Sequence, residues 1–589
     1  MAASMLLYGV LSPMSNIVLY PAASHNISAA LPLQFYDAYT AGNPYETGTP
    51  YNLGFDAQAV HGTEAKLSGN LVSVGQSWET EDGSGKNGPR SAFAMAVSEY
   101  GLYVWSWLSD EKGADEGVVA VACMQADAGG DFIAAGFYKD SAPGSVFQRY
   151  LVRLDHLTGK LVWAAKFNTT ASEDNGTHAT FESIALDSEG NILLGGVTNN
   201  IPGTEFKFKS AGNVPHGDAF VWRIPESALK QKGGPTDVDV KMAWSDNKWT
   251  SVKAVRQGDP DGNAIALVHR EFQGTYECGL TLIDTNTGSS IWGPYLYKEQ
   301  TEGTDLAVAP DWSGFAITGH GSTTPVSKAP EYKGRITRVT EKGVYLWTKE
   351  IFSNPTASVV YNECWGIQPY WEAGKTYGLK PGEMHDWIVS CGTGIENMEA
   401  CHDSRLSEEL KTWCMAGAPS AWGGIPRMPS VWSNNIVAVE DSLTPGSPGE
   451  HMWSQVSSFV HNYPGARSMS SAAEFITPVR RGGFYVTTDE NFGIGFLRVG
   501  GSAAPPSPPP SDSYGGGDDA GDTNLDSGDS DVVAAASVHR VHHRKKISHQ
   551  AMLMEPHYVA EHHLSAGETR GEVKVFKERL SKEERLKGL

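Results

Sequence analysis

Several common features are missing from this 589-residue chain, and each absence excludes something. No run of 18 or more consecutive apolar residues occurs, so no membrane-spanning helix is expected. None of the six cysteines forms a Cys-x-x-Cys pair, which argues against a zinc site or a redox motif. Positive charge is scarce: 46 Lys and Arg against 68 Asp and Glu leave a net charge of −22. That balance argues against general nucleic-acid binding, where phosphate contacts need a basic face. The oxygen-rich stretches Asp82–Gly85 and Asp259–Asn263 both lack the distal Glu of an EF-hand loop, so they read as turns and no metal is expected.

What is abundant is glycine and large aromatics, with 65 Gly, 17 Trp and 22 Tyr. A turn-then-strand signal recurs at Gly69, Gly130, Gly190, Gly262, Gly314, Gly382 and Gly482, the Gly382 instance being the poorest match. Seven strand-like runs accompany it: Ala92–Val97, Tyr150–Leu154, Ala219–Ile224, Gly279–Ile283, Arg335–Val339, Ile436–Val439 and Gly495–Val499. After five of these runs a Gly is followed four residues later by a Trp, in the pairs Gly101/Trp105, Gly159/Trp163, Gly288/Trp292, Gly343/Trp347 and Gly449/Trp453. The Gly permits a positive-φ turn between antiparallel strands, and the Trp enters the next strand on a fixed face where its ring fills space between sheets. The third unit departs from this pattern, with a Lys- and Gly-rich insertion before Trp244.

Strand, Gly turn, strand, strand, Gly turn, Trp strand is a four-stranded antiparallel unit. One such sheet cannot bury both faces alone, so the units must stack around an axis. The expected fold is all-β: a seven-bladed β-propeller over residues 31–501, with six or eight blades as the neighbouring counts. The seventh unit ends at Gly500-Gly501 without its fourth strand. An N-terminal segment must supply it, from Asn16–Tyr20 or Leu33–Tyr36.

The repeats resemble known ones. Leu186-Asp-Ser-Glu-Gly-Asn-Ile-Leu-Leu-Gly-Gly196 with Ala219-Phe-Val-Trp-Arg-Ile224 resembles the SBBP-type beta-propeller repeat family. Arg153-Leu-Asp-His-Leu-Thr-Gly-Lys-Leu-Val-Trp163 and Ile283-Asp-Thr-Asn-Thr-Gly-Ser-Ser-Ile-Trp292 resemble the Asp-x-x-Thr-Gly-x-x-x-Trp blade-docking motif of quinoprotein propellers. The resemblance implies the fold from about Phe55 to Val499 and implies packing roles for the motif residues. It does not imply a quinone cofactor: those dehydrogenases commonly carry an adjacent Cys-Cys pair, which this chain lacks. No cofactor is expected.

The remaining segments bear on location. Residues 1–30 contain a weak or truncated signal segment, apolar but without a basic start. Cys364, Cys391, Cys401 and Cys414 cluster in the sixth unit, with Cys364–Cys391 and Cys401–Cys414 the favoured pairings. Cys123 and Cys278, in apolar strand contexts, are expected to be buried thiols. Sequons at Asn26, Asn168 and Asn175 agree with export, so an extracellular or cell-surface glycoprotein is expected. Residues 502–537 are a Pro-rich and acidic disordered linker, and 538–589 a basic, His-rich tail with a short charged helix near its end. The tail's basic run, Arg540 to Lys546, suits contact with anionic surfaces.

For function, the long sixth-unit insertion, Gly392 to Pro429, marks a loop face. Non-enzymatic binding of a protein or glycan through such loops is the expected role. The alternatives are a hydrolase or lyase, sited in the propeller channel or under that insertion, and an intracellular interaction scaffold. An enzyme would need convergent titratable groups, and the candidates are Glu363, His385, Asp386, His402 and Asp403, which otherwise read as solvated loop residues.

Overall fold

A computed structural model of the chain describes residues 18–21, 33–39, 55–79, 90–109, 111, 113–167, 179–198, 218–246, 249–272, 275–300, 302–321, 333–351, 361–370, 386–395, 431–457, 471–480, 482–490 and 493–501. These form seven antiparallel sheets of four or five strands, each blade made largely of consecutive strands. Blade 1 runs from Phe55 to Leu108, blade 2 from Asp115 to Phe167 and blade 3 from Ala179 to Asp246. Blade 4 spans Ser251–Leu296, blade 5 Glu302–Ile351, blade 6 Tyr361–Ser457 and blade 7 Ser471–Val499.

The buried residues do not form one mass. They fall into seven clusters, each shared by two neighbouring blades, and the pairs run 1–2, 2–3, 3–4, 4–5, 5–6, 6–7 and 7–1. Seven interfaces between seven blades make a closed ring, a seven-bladed propeller. Each sheet thereby buries both faces, which is why its strands are apolar on both sides and not in strict alternation. Phe132–Lys139 in blade 2 is buried at every residue but its last.

Both candidate closing segments form strands, in different blades. Leu33–Tyr39 pairs with Gly493–Val499 and supplies the missing fourth strand of blade 7. Val18–Pro21 pairs with His451–Ser457 as a fifth strand on blade 6. The latter lies inside the segment read above as a signal sequence, so the sheets begin earlier than residue 31. The second strand of blade 6 runs to Ile395, because Gly392–Ile395 continue the ladder with Asn434 to Val431. The sixth-unit insertion therefore starts four residues later than the composition alone suggests.

Most of the motif glycines sit in turns, but Gly314 is the first residue of a strand, and Gly449 lacks the positive φ expected of it, Gly446 taking that role in the same connection. Gly69, Gly130, Gly190, Gly262, Gly314 and Gly482 follow the first strands of their blades, all with positive φ. Gly101, Gly159, Gly288 and Gly343 follow the third strands, also with positive φ. At Gly159 a second constraint applies: a Cβ there would lie 2.4 Å from the Trp105 ring of blade 1. The Trp105 indole N–H donates to the carbonyl of His156 in the same blade-2 turn (3.3 Å). Trp163 repeats the arrangement toward blade 3, donating to Leu229 O (3.2 Å) and covering Gly234. The third-unit insertion, with its short helix Glu226–Leu229, thus brings its own glycine to the junction. Trp347 donates to Ser442 O of blade 6 (2.7 Å), and Trp292 covers Gly343 of blade 5. Trp453 has no described side chain, so its environment lies outside the described residues.

Candidate functional site

Each blade's first strand is the innermost, and every one of the seven carries a single interruption of its ladder. The shifts fall between Ala59 and His61, Val118 and Ala120, Phe181 and Ser183, and Val252 and Ala254. The other three fall between Gly303 and Asp305, Cys364 and Gly366, and Ala473 and Ile476. A bulge leaves its extra residue unpaired and re-aims that side chain. The residues that the register skips are Val60, Val119, Glu182, Lys253, Thr304, Trp365 and, in blade 7, Glu474 with Phe475. All of them line one cavity of about 100 Å³ in the middle of the ring. The bulges thus turn seven sheet edges into a side-chain-lined channel.

Several polar groups of this channel are joined across blades. Glu182 of blade 3 and Lys253 of blade 4 form an ion pair at 3.0 Å. Arg256 of blade 4 and Asp305 of blade 5 form another at 2.6 Å. The second Asp305 oxygen accepts the Ile367 amide of blade 6 (3.1 Å), so this carboxylate ties three blades together. Thr304 donates to the carbonyl of Cys364 (2.7 Å). The Val121 amide donates to His61 Nδ1 (3.3 Å), which places the imidazole proton on Nε2, and the ring packs on Phe475 with centroids 3.6 Å apart. Burial, with the nearby Arg256 charge, holds His61 well below its usual pKa, so it is neutral at neutral pH. Burial raises Asp305, opposed by Arg256. The arrangement can hold a proton at two places and admit a few water-sized groups, since ligand pockets for larger molecules are roughly 300–1,000 Å³.

Of the candidates taken from the sequence, the two that lie among the described residues, Glu363 and Asp386, do not line this cavity. Glu363 and Asp386 lie on paired strands of blade 6, but Glu363 faces Gly392 in the register while Asp386 faces Tyr370, at the other end of the hairpin. Seven residues of strand, roughly 23 Å, separate the two levels. Asp386 accepts the Asp441 amide (3.2 Å), a contact that holds the end of the blade. His385, His402 and Asp403 lie outside the described residues, as do Cys401, Cys414, Asn26, Asn168, Asn175 and the Gly382 turn. Cys364 and Cys391 face each other in the register and form a disulfide, next to the Trp365 bulge. Cys123 and Cys278 are buried thiols.

Among the described residues, one group of metal-ligand types stands outside the channel: Asp131, Asp155 and His156, with ligand atoms within 4.8 Å of each other. Their bonds are already spent on packing. Asp131 holds Arg153 (2.7 Å) and the amide of His156 (3.3 Å), while Asp155 accepts the Thr158 amide and hydroxyl (2.8 Å each) inside its own turn. The turns at Asp259 and Asp284 are built the same way, each carboxylate accepting two amides further along its loop.

The two faces of the ring differ. Antiparallel strands place first-to-second and third-to-fourth connections on one face, and second-to-third and blade-to-blade connections on the other. The motif glycines among the described residues lie on the first face, where most connections are tight turns. The second receives both ends of the connections 80–89, 199–217, 322–332 and 396–430, and of the blade-to-blade segments 40–54, 168–178, 352–360 and 458–470. Blades 3 and 6 alone add longer connections to the first face, at 225–240, 371–385 and 440–450.

No family model matches the chain, and no curated protein matches it. Among solved structures, a glucose dehydrogenase aligns with 76% of this chain and 99% of its own at 11% identity and a TM-score of 0.32. The quinohemoprotein alcohol dehydrogenase from Comamonas testosteroni aligns with 82% of this chain and 78% of its own, at 10% identity and a TM-score of 0.33. The Hadza microbial sialidase Hz136 aligns with 58% and 63%, at 9% identity and a TM-score of 0.34. Likeness at this level says nothing about activity.

Proposed function

We propose that this protein is a non-enzymatic, secreted or cell-surface propeller that binds a protein or glycan ligand through loops on one face. The observation that carries this reading is the inequality of the faces: the repeated motifs spend themselves on one, and the long connections leave from the other. Binding residues in scaffolded folds concentrate on such loops. The channel supports the same reading, because two ion pairs, Glu182–Lys253 and Arg256–Asp305, engage four of its charged groups and its volume is small. The Cys364–Cys391 disulfide supports an oxidising compartment. The sequons at Asn168 and Asn175 belong to connection 168–178 and would place glycans beside that face.

Replacing residues 396–430 by a short Gly-Ser linker tests the assignment on a glycan array and by cross-linking at cell surfaces. Binding should be lost in that variant and kept when the opposite-face segment 440–450 is altered. Equal binding by both variants would overturn the assignment.

A hydrolase or lyase in the channel is the second reading, favoured by the convergence of His61 and Asp305, two buried groups shifted toward their neutral forms. It predicts turnover of small ester or glycoside substrates that disappears in His61→Ala and survives replacement of 396–430. An intracellular scaffold, the third, predicts six free thiols in denatured, unreduced protein.

A further inference from the structure

A sheet edge presents unpaired amides and carbonyls, and proteins protect such edges with charge, proline or a cover. The outer strands of blades 2, 3, 5 and 7 carry charged residues: Lys166, Lys241 with Asp246, Lys349 with Glu350, and Asp37. That of blade 4 carries Pro294. The outer strands of blades 1 and 6, Tyr103–Leu108 and His451–Ser457, contain no proline, glycine, Asp, Glu, Lys or Arg. Among the described residues only blade 6 has a fifth strand, Val18–Pro21, lying antiparallel on that uncharged edge.

The cover is shorter than what it covers. Val18–Pro21 pairs with Val456 back to Trp453, four of the seven residues in the acceptor strand. His451, Met452 and Ser457 have no partner from it in the ladder. The chain needs neither this strand nor its pairing to close the ring, since Leu33–Tyr39 does that on blade 7. A short strand held chiefly by one side of a ladder opens at low cost. A seven-residue strand would pair along the full edge, and addition of an extended peptide to a sheet edge is an established mode of recognition.

We propose that the outer edge of blade 6 is an acceptor for an extended, uncharged peptide strand from a partner protein, and that Val18–Pro21 is its exchangeable resident. The resident's own sequence, Val-Leu-Tyr-Pro, indicates the occupant: β-branched, aliphatic and aromatic residues ended by proline. Backbone pairing supplies the affinity and alternate side chains the selection.

Tyr20 and Ser454 face each other in the register, so the full chain carrying Tyr20→Cys and Ser454→Cys can be locked by oxidation and released by reductant. The probe is a fluorescein-labelled peptide of residues 15–21, Ser-Asn-Ile-Val-Leu-Tyr-Pro, followed by anisotropy. Reduced protein should bind it at least tenfold more tightly than oxidised protein, and wild type under the same reductant should match the reduced variant. Methylating the peptide amides on alternate residues should abolish binding for one alternate set and leave the other unaffected. Equal binding by locked and released protein, no binding by either, or indifference to amide methylation would each overturn the proposal. Binding at the blade-1 edge gives the first of these results, because the lock does not reach it.

Discussion

At the scale of single residues, the ring depends on glycines whose turns are also contact points. Gly159 has a φ of +67° and touches the Trp105 ring, whereas Gly144 has a φ of +84° and nothing within 4 Å of a Cβ. Gly144→Ala should cost about 1 kcal/mol, the strain of the left-handed conformation. Gly159→Ala should cost about 1–3 kcal/mol more, from overpacking at the blade 1–2 junction. Urea unfolding of the two variants separates strain from contact. The buried histidines set a pH dependence. His320, 1% exposed, is lowered by burial to about 4, and His61 is lowered in the same direction. A histidine whose folded pKa is depressed binds more protons unfolded, so its contribution is intact above about pH 6.5 and is lost as pH falls toward 4. The raised carboxyls of Asp305, Glu64 and Glu116 act with opposite sign above their unfolded values. The histidine part is therefore read as the difference in stability slope between wild type and His320→Gln from pH 6.5 to 4, and the variant should be the flatter.

At the scale of elements, the blade was legible in the sequence and the channel was not. Gly and Trp recur at fixed spacings because a positive-φ turn admits few other residues and because the inter-blade gap is filled by one large ring. Channel residues obey no such chemistry. Val60, Val119, Glu182, Lys253, Thr304 and Trp365 share only a register position, created by a bulge that the sequence does not announce. Spacing was the available signal: in blades 1 to 5 and 7 the residues that the register skips precede the motif glycine by seven to eleven positions. The catalytic candidates were chosen by proximity in one unit, of which Glu363 and Asp386 lie at opposite ends of the blade-6 hairpin, whereas the channel draws one to three residues from every blade. Ring closure makes a sharp prediction. A chain beginning at residue 25 loses Val18–Pro21 and should keep a cooperative thermal transition, whereas one beginning at residue 40 lacks the last strand of blade 7 and should lose it. Circular dichroism melts compare the two.

At the scale of the whole molecule, the cysteines report where it resides. Cys123 and Cys278 are buried, and burial pushes the Cys123 thiol up to about 11 and Cys278 higher still. Neither should react with a maleimide in the native protein at neutral pH. After denaturation without reductant, two thiols should be counted if Cys401 and Cys414 are paired, and four if they are not. A count of six would place the chain in a reducing compartment.

The pairing that closes the ring also fixes how it responds to force. Leu33 faces Val499 and Tyr39 faces Ile494, so the preceding and following chain depart from the same end of that strand pair. Tension applied between the N-terminal segment and the chain after residue 501 would, once Val18–Pro21 has left blade 6, load these hydrogen bonds one at a time, like a zipper, and not all together in shear. In an optical trap the first event should be release of Val18–Pro21 from blade 6, followed by peeling of blade 7 at low force and then the remaining blades.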